Sequence, residues 1–149
     1  MKVLARNKQA SYLYHLYDRF EAGIVLRGTE IKSIRAGKVN IQDAHVRVRN
    51  GQAYLINMHV SKFKQGNQFN HDETRERKLL LHKSEIVKLG GKIQKDNFTV
   101  VPTSIYLKDG LCKIEVALAK GKKLHDKRQS LKEKDMKRRV EKELNRREY

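Results

Sequence analysis

The feature that most constrains this chain is an alternation that ends in a tight turn. Ala44, Val46 and Val48 alternate with His45, Arg47 and Arg49, and Asn50-Gly51 follows. Residues 52–60 then read as a second strand. Asn-Gly between such runs predicts a type I′ hairpin, because that turn needs φ > 0 at both central positions. One face of the first strand is apolar and the other basic, so it covers a core from one side only. A second hairpin is predicted where residues 98–107 and 111–119 flank Lys108-Asp109-Gly110. There Cys112, Ile114, Val116 and Leu118 share one face, and Lys113 and Glu115 share the other. Pro102 cannot donate to a ladder, so it marks a bulge or an edge. Residues 20–27 form a short apolar run around Gly23, which reads as a bent strand that residues 12–17 extend upstream.

Two short helices fit between the strands. Residues 29–35 carry Ile31 and Ile34 at helical spacing and stop at Gly37. Residues 84–93 carry Ile86, Leu89 and Ile93, with Ser84 as the expected N-cap. Gly90-Gly91 weakens the second half of that helix by about 1 kcal/mol per glycine. Hairpins with short interposed helices predict a mainly β fold, a small closed antiparallel barrel of OB type.

Charge divides the chain. The net charge is +17, from 34 Lys and Arg against 17 Asp and Glu. Residues 120–149 alone carry +7, with one glycine, no proline and few apolar side chains. The expected organisation is therefore a barrel domain over residues 1–119 and a basic tail over residues 120–149. Leu124, Leu131, Met136, Val140 and Leu144 would make one narrow apolar stripe if the tail were helical. Glu133–Lys137, Asp135–Arg139 and Glu143–Arg147 have i, i+4 spacing, each pair worth roughly 0.2–0.5 kcal/mol. Such sums do not hold an isolated helix, so the tail is expected to be disordered when free and to order on a partner. A surplus of this size must be offset by a polyanion, an acidic membrane or solvent; nucleic acid is the commonest such partner, because each neutralised phosphate releases counterions.

Catalysis finds little support in the sequence. Leu89-Gly-Gly-Lys-Ile93 lacks the spacing and hydroxyl of a P-loop, and the six histidines and single cysteine make no zinc spacing. Cys112 falls on the apolar face and reads as core, and His45 and His59 as structural or surface groups. Glu21 beside Gly23 could serve as a general acid in a cleft, but a solvated or RNA-positioning carboxylate is the better reading. No enzyme activity, cofactor or metal is expected. One cysteine excludes an internal disulfide, and no apolar run reaches the roughly 18 residues of a membrane span; the expectation is a cytoplasmic protein. Residues 62–77 form a polar stretch interrupted by Phe63 and Phe69. Aromatics among basic residues and Asn suit stacking on unpaired bases, and a loop merely anchored by its phenylalanines fits equally well.

Four blocks carry a resemblance to a known family. They are Phe20-Glu-Ala-Gly-Ile-Val-Leu26, Gly28-Thr-Glu-Ile-Lys-Ser-Ile-Arg-Ala-Gly-Lys38, Arg77-Lys-Leu-Leu-Leu-His82 and Ala117-Leu-Ala-Lys-Gly-Lys-Lys-Leu-His-Asp-Lys-Arg128. Together and in order, they resemble the SsrA-binding protein family, also called small protein B, which partners transfer-messenger RNA in bacterial ribosome rescue. The resemblance implies an OB-type barrel with two RNA surfaces. One surface would grip the tRNA-like part of transfer-messenger RNA through Asn7, Glu21, Leu80 and Lys113, with Gly121 at the base of the tail. On the other, His125, Asp126, Lys127 and Arg128 would sit near the decoding centre of the ribosome, with the tail beyond them helical in the empty messenger channel. It also implies delivery of alanyl-transfer-messenger RNA with GTP-bound elongation factor Tu, by a monomer, in trans-translation.

Each residue type suits its implied role. Lys113 can meet a phosphate, and Glu21 can accept from a base edge or a 2′-OH. His125 can stack or bond a phosphate, Lys127 and Arg128 supply further phosphate contacts, and Asp126 can orient them or cap a helix. Two positions depart from the family pattern: Tyr12 stands where histidine is usual, and Gly90 where a bulkier residue is usual. The rival expectations are a generic OB-fold RNA chaperone or ribosomal protein, which would bind many RNAs alike, and a small nuclease, which would turn RNA over.

Overall fold

The alternating segments fold as antiparallel strands around one core. The computed structural model describes residues 1–63 and 70–122. In chain order the elements are β1 (Lys2–Arg6), α1 (Ala10–Leu13), β2 (Tyr14–Ile24), α2 (Gly28–Arg35), β3 (Val39–Asn40), β4 (His45–Arg49) and β5 (Gln52–Ile56). They continue with β6 (His59–Val60), β7 (Arg77–Leu80), α3 (Lys83–Lys95), β8 (Thr99–Lys108) and β9 (Leu111–Gly121). Seven strands form one sheet in the order β1-β8-β9-β2-β7-β5-β4, and β3 pairs with β6. All pairings are antiparallel.

Both predicted turns form as two-residue type I′ loops. Asn50 and Gly51 have φ of 53° and 72°, and Asp109 and Gly110 have 53° and 77°. Lys108 therefore belongs to β8 and pairs with Leu111, rather than to the turn. Residues 52–60 do not form one strand. Asn57 takes a φ of 62° and breaks the run, so β5 ends at Ile56 and His59–Val60 joins the small sheet. Pro102 marks a bulge, since the β8–β9 register shifts between Pro102 and Ser104. The irregularity in β2 lies between Leu16 and Arg19, upstream of Gly23.

The sheet curls until β4 comes back against β8. Among the described residues no backbone ladder joins these two strands, so side chains close the barrel. α3 lies beside both and buries Ile86 and Leu89. The helix begins at Lys83 with His82 as N-cap, two residues before the expected cap Ser84. Glu85 fixes that end, because its carboxylate accepts from the His82 backbone N–H at 3.0 Å. Gly90 and Gly91 do not stop the helix, which runs to Lys95. A Cβ on Gly90 would lie 3.3 Å from Val48 Cγ1, so the missing side chain lets α3 approach β4. The core includes Leu55, Met58, Leu79, Ile105 and Ile114, each at most 1% exposed, and each such burial contributes roughly 1.5–3 kcal/mol.

A buried ionic cluster ties residues 71–77 to the barrel. Glu30 of α2 and Arg77 of β7 are both fully buried and paired through the Arg77 Nε–H. Arg77 also donates to the Met58 carbonyl at 2.7 Å, and Arg75 to Glu30 at 2.5 Å. His71 is buried as well, with Nε2 on the Val60 carbonyl and Nδ1 on the Thr29 hydroxyl, each at 2.9 Å. The polar stretch predicted at residues 62–77 is therefore packed against α2 over its described second half. Residues 64–69, including Phe69, lie outside the described residues.

The chain boundary expected near Ala119 falls inside β9, which pairs His15 with Lys120 and Tyr14 with Gly121. The Lys122 N–H donates to the Leu13 carbonyl at 3.0 Å. The tail stripe and its i, i+4 pairs lie outside the described residues.

Candidate nucleic-acid interface

The strand register brings three of the implied RNA residues together on the outer face of the barrel. Gly23 of β2 stands between Lys113 of β9 and Leu80 of β7, opposite both in register. Ala22 and Ile24 point into the core, so Gly23 and Glu21 face out. Leu80 is 54% exposed, while its neighbour Leu79 is 1% exposed. The absence of a side chain at Gly23 matters here: a Cβ would come 3.3 Å from Leu80 Cβ. Lys113, Gly23 and Leu80 also line a mostly apolar cavity of about 350 Å³, together with Ile31, Leu111 and Arg35. An exposed leucine between cations is a surface on which an unpaired base can stack while its phosphate meets charge.

Glu21 sits beside this row and is held in place. The Tyr106 hydroxyl donates to its carboxylate at 2.5 Å, and Lys108 Nζ approaches at 3.5 Å. The Tyr106 hydrogen bond holds the Glu21 carboxyl below the usual glutamate range; burial opposes this, and the charges of Lys108 and Lys113 assist it. Burial and the same carboxylate push the Tyr106 phenol above its usual range. Glu21 is thus an ionised acceptor and Tyr106 a neutral donor at neutral pH. Tyr106 was not among the expected site residues. Its place follows from the turn, since counting back from Asp109-Gly110 sets Tyr106 opposite Lys113.

Asn7 and Gly121 are not part of this cluster. Gly121 closes β9, about 26 Å along the strand from Lys113 at roughly 3.3 Å per residue. Asn7 follows β1, where its side-chain amide donates to the Pro102 carbonyl at 3.0 Å and its backbone N–H to the Thr103 carbonyl at 2.8 Å. Its Oδ1 is buried without a partner. The Asn7 side chain therefore faces the β8 bulge. His125, Asp126, Lys127 and Arg128 lie outside the described residues.

Other candidate groups resolve into structural ones. His59 pairs with Glu73 at 2.6 Å. Burial and the nearby Arg47 lower the His45 pKa, so its ring stays neutral. Burial pushes the Cys112 thiol up to about 11, which leaves it unreactive. Among the described residues, no group of three or more His, Cys, Asp or Glu could hold a metal ion, and no helix is long and apolar enough to cross a membrane.

Nearly the whole sequence matches one family profile, that of the SmpB protein, over residues 4–146. The chain belongs to the SmpB family. Similar SmpB relatives are the SsrA-binding protein of Oceanobacillus iheyensis, 55% identical over 144 residues, which span 96% of this chain and 93% of the relative. The SsrA-binding protein of Alkaliphilus oremlandii is 54% identical over 147 residues, covering 99% and 95%. A solved structure described as "tmRNA-SmpB: a journey to the center of the bacterial ribosome" superposes with a TM-score of 0.71 at 39% identity. That match covers 88% of this chain and 95% of the other. The barrel expected from the hairpins is thus the SmpB fold.

Proposed function

We propose that this chain is an RNA-binding factor of trans-translation that grips the tRNA-like domain of transfer-messenger RNA and brings it to stalled ribosomes. The observation that carries this reading is the outward row of Leu80, Gly23 and Lys113 beside the fixed carboxylate of Glu21. It offers an apolar platform, a phosphate-binding cation and an oriented acceptor within one patch. Asn7, held to the β8 bulge after β1, forms the far end of the same grip. Gly121 acts as the hinge between the barrel, residues 1–119 and the end of β9, and the tail.

His125, Asp126, Lys127 and Arg128 meet the small-subunit RNA near the decoding centre, and the rest of the tail enters the empty messenger channel. A channel filled with message excludes the tail sterically and electrostatically. The protein acts as a cytoplasmic monomer without catalysis, and elongation factor Tu with GTP reaches it through alanyl-transfer-messenger RNA.

Competition binding tests this. At about 0.2 M salt, where non-specific phosphate binding is weakened, the tRNA-like domain should displace labelled tRNA-like domain far better than an unrelated structured RNA. Equal competition by the two would leave a generic RNA chaperone as the better account. Cleavage of labelled RNA by the purified protein would point instead to a nuclease.

A further inference from the structure

The two ends of the implied RNA surface are joined by a feature that neither end explains. Between Asn7 and Glu21 the outer face of β1, β8, β9 and β2 sinks into a concavity of about 390 Å³, lined by Arg6, Arg19, Thr103, Ser104, Tyr106 and Glu115. It touches both ends, since Tyr106 donates to Glu21 and Asn7 N–H bonds the Thr103 carbonyl. Its walls are fixed internally. The Thr103 hydroxyl donates to Glu115 at 2.6 Å, and Arg19 lies 3.5 Å from the same carboxylate with half its side chain exposed. Arg6, opposite Ser104 in register, is exposed and has no acidic partner among the described residues. The depression, which Met1 and Val3 also line, carries two guanidiniums, that of Arg6 without an acidic partner among the described residues; a guanidinium fork binds a phosphate of a sugar–phosphate backbone with two hydrogen bonds.

We infer that this concavity is a backbone-binding trough, in which Arg6 and Arg19 each take a phosphate of the RNA strand that passes from Lys113 towards Asn7. The inference rests on the proposed binding of transfer-messenger RNA and adds two contact residues to it. Glu115 has a defined part: it holds Arg19 in the trough and competes with the incoming phosphate.

The test compares salt titrations of the full-length protein and an Arg6→Ala, Arg19→Ala double variant on the isolated tRNA-like domain. The double variant should lose about two units of the slope of log K against log salt, roughly one per phosphate contact. Its deficit should exceed tenfold at low salt and close towards 1 M. A Glu115→Gln variant, whose amide oxygen still accepts from Thr103, should bind more tightly than wild type. Wild-type affinity and slope in the double variant would overturn the inference. So would a loss that is independent of salt, or weaker binding by Glu115→Gln. If wild type binds tRNA-like and unrelated RNA alike, the transfer-messenger reading fails, and the slope on either RNA still decides whether the two arginines hold phosphates.

Discussion

At the residue scale, the site depends on which side chain is missing as much as on which are present. Gly23 leaves the space that Leu80 occupies, and Leu80 is 54% exposed because it alternates outward from the buried Leu79 in β7. Lys113 shares this face and has no carboxylate bonded to it among the described residues. Changing Lys113 to Ala should therefore weaken binding of the tRNA-like domain about tenfold, as expected for one charge-assisted contact of roughly 1.5 kcal/mol. The melting temperature should stay unchanged, since the amine is not part of the core. Full binding by this variant, measured by titration at fixed salt, would remove Lys113 from the interface. The position of Lys113 was legible in the alternation of β9, because Ile114, Val116 and Leu118 point the other way. Tyr106 was not singled out, because its partner Glu21 is 85 residues away in sequence. Only the pairing of β8, β9 and β2 brings them into contact.

At the element scale, α2 and β7 are locked by Glu30 and Arg77. Burial raises the Glu30 pKa, but hydrogen bonds from Arg75, the Arg27 N–H and Arg77 outweigh it and hold the carboxyl below its ordinary value. A carboxylate with a depressed folded pKa adds stability above its unfolded pKa, and that stability is lost as pH falls through the lower folded value. Changing Glu30 to Gln leaves Arg77 buried and unpaired, which should cost on the order of 3–5 kcal/mol at neutral pH. The variant should also show a flatter loss of stability between neutral and acid pH. Urea denaturation at several pH values measures both effects, and wild-type stability at pH 7 would contradict the account. Turn chemistry made the two hairpins readable from Asn50-Gly51 and Asp109-Gly110, which need no distant partner. The ionic cluster was not readable, because nothing local distinguishes Glu30 and Arg77 from the surface charges around them. Burial of a charged pair is decided by packing across 47 residues of chain. The start of α3 follows the same logic: Glu85 caps the helix from inside through the His82 backbone N–H, which the local cap candidate Ser84 does not reveal.

At the scale of the whole molecule, the net +17 falls on two stretches of the chain. The barrel presents Lys113, Arg6 and Arg19 on one outer face, while +7 of the charge sits in residues 120–149. The OB-like architecture was legible because hairpins, short helices and one wet face leave few ways to close a core. Composition places a division near Ala119, and β9 carries the barrel two residues past it, to Gly121. On the proposed function, the barrel is the RNA handle and the tail serves the ribosome. The most direct test of this reading is the affinity of residues 1–122 for the tRNA-like domain, measured beside the full chain at about 0.2 M salt and paired with a ribosome-rescue assay. The account predicts affinity within about tenfold of the full chain, since screened tail charges add only non-specific attraction, together with loss of rescue. Comparable loss of binding and rescue would contradict it.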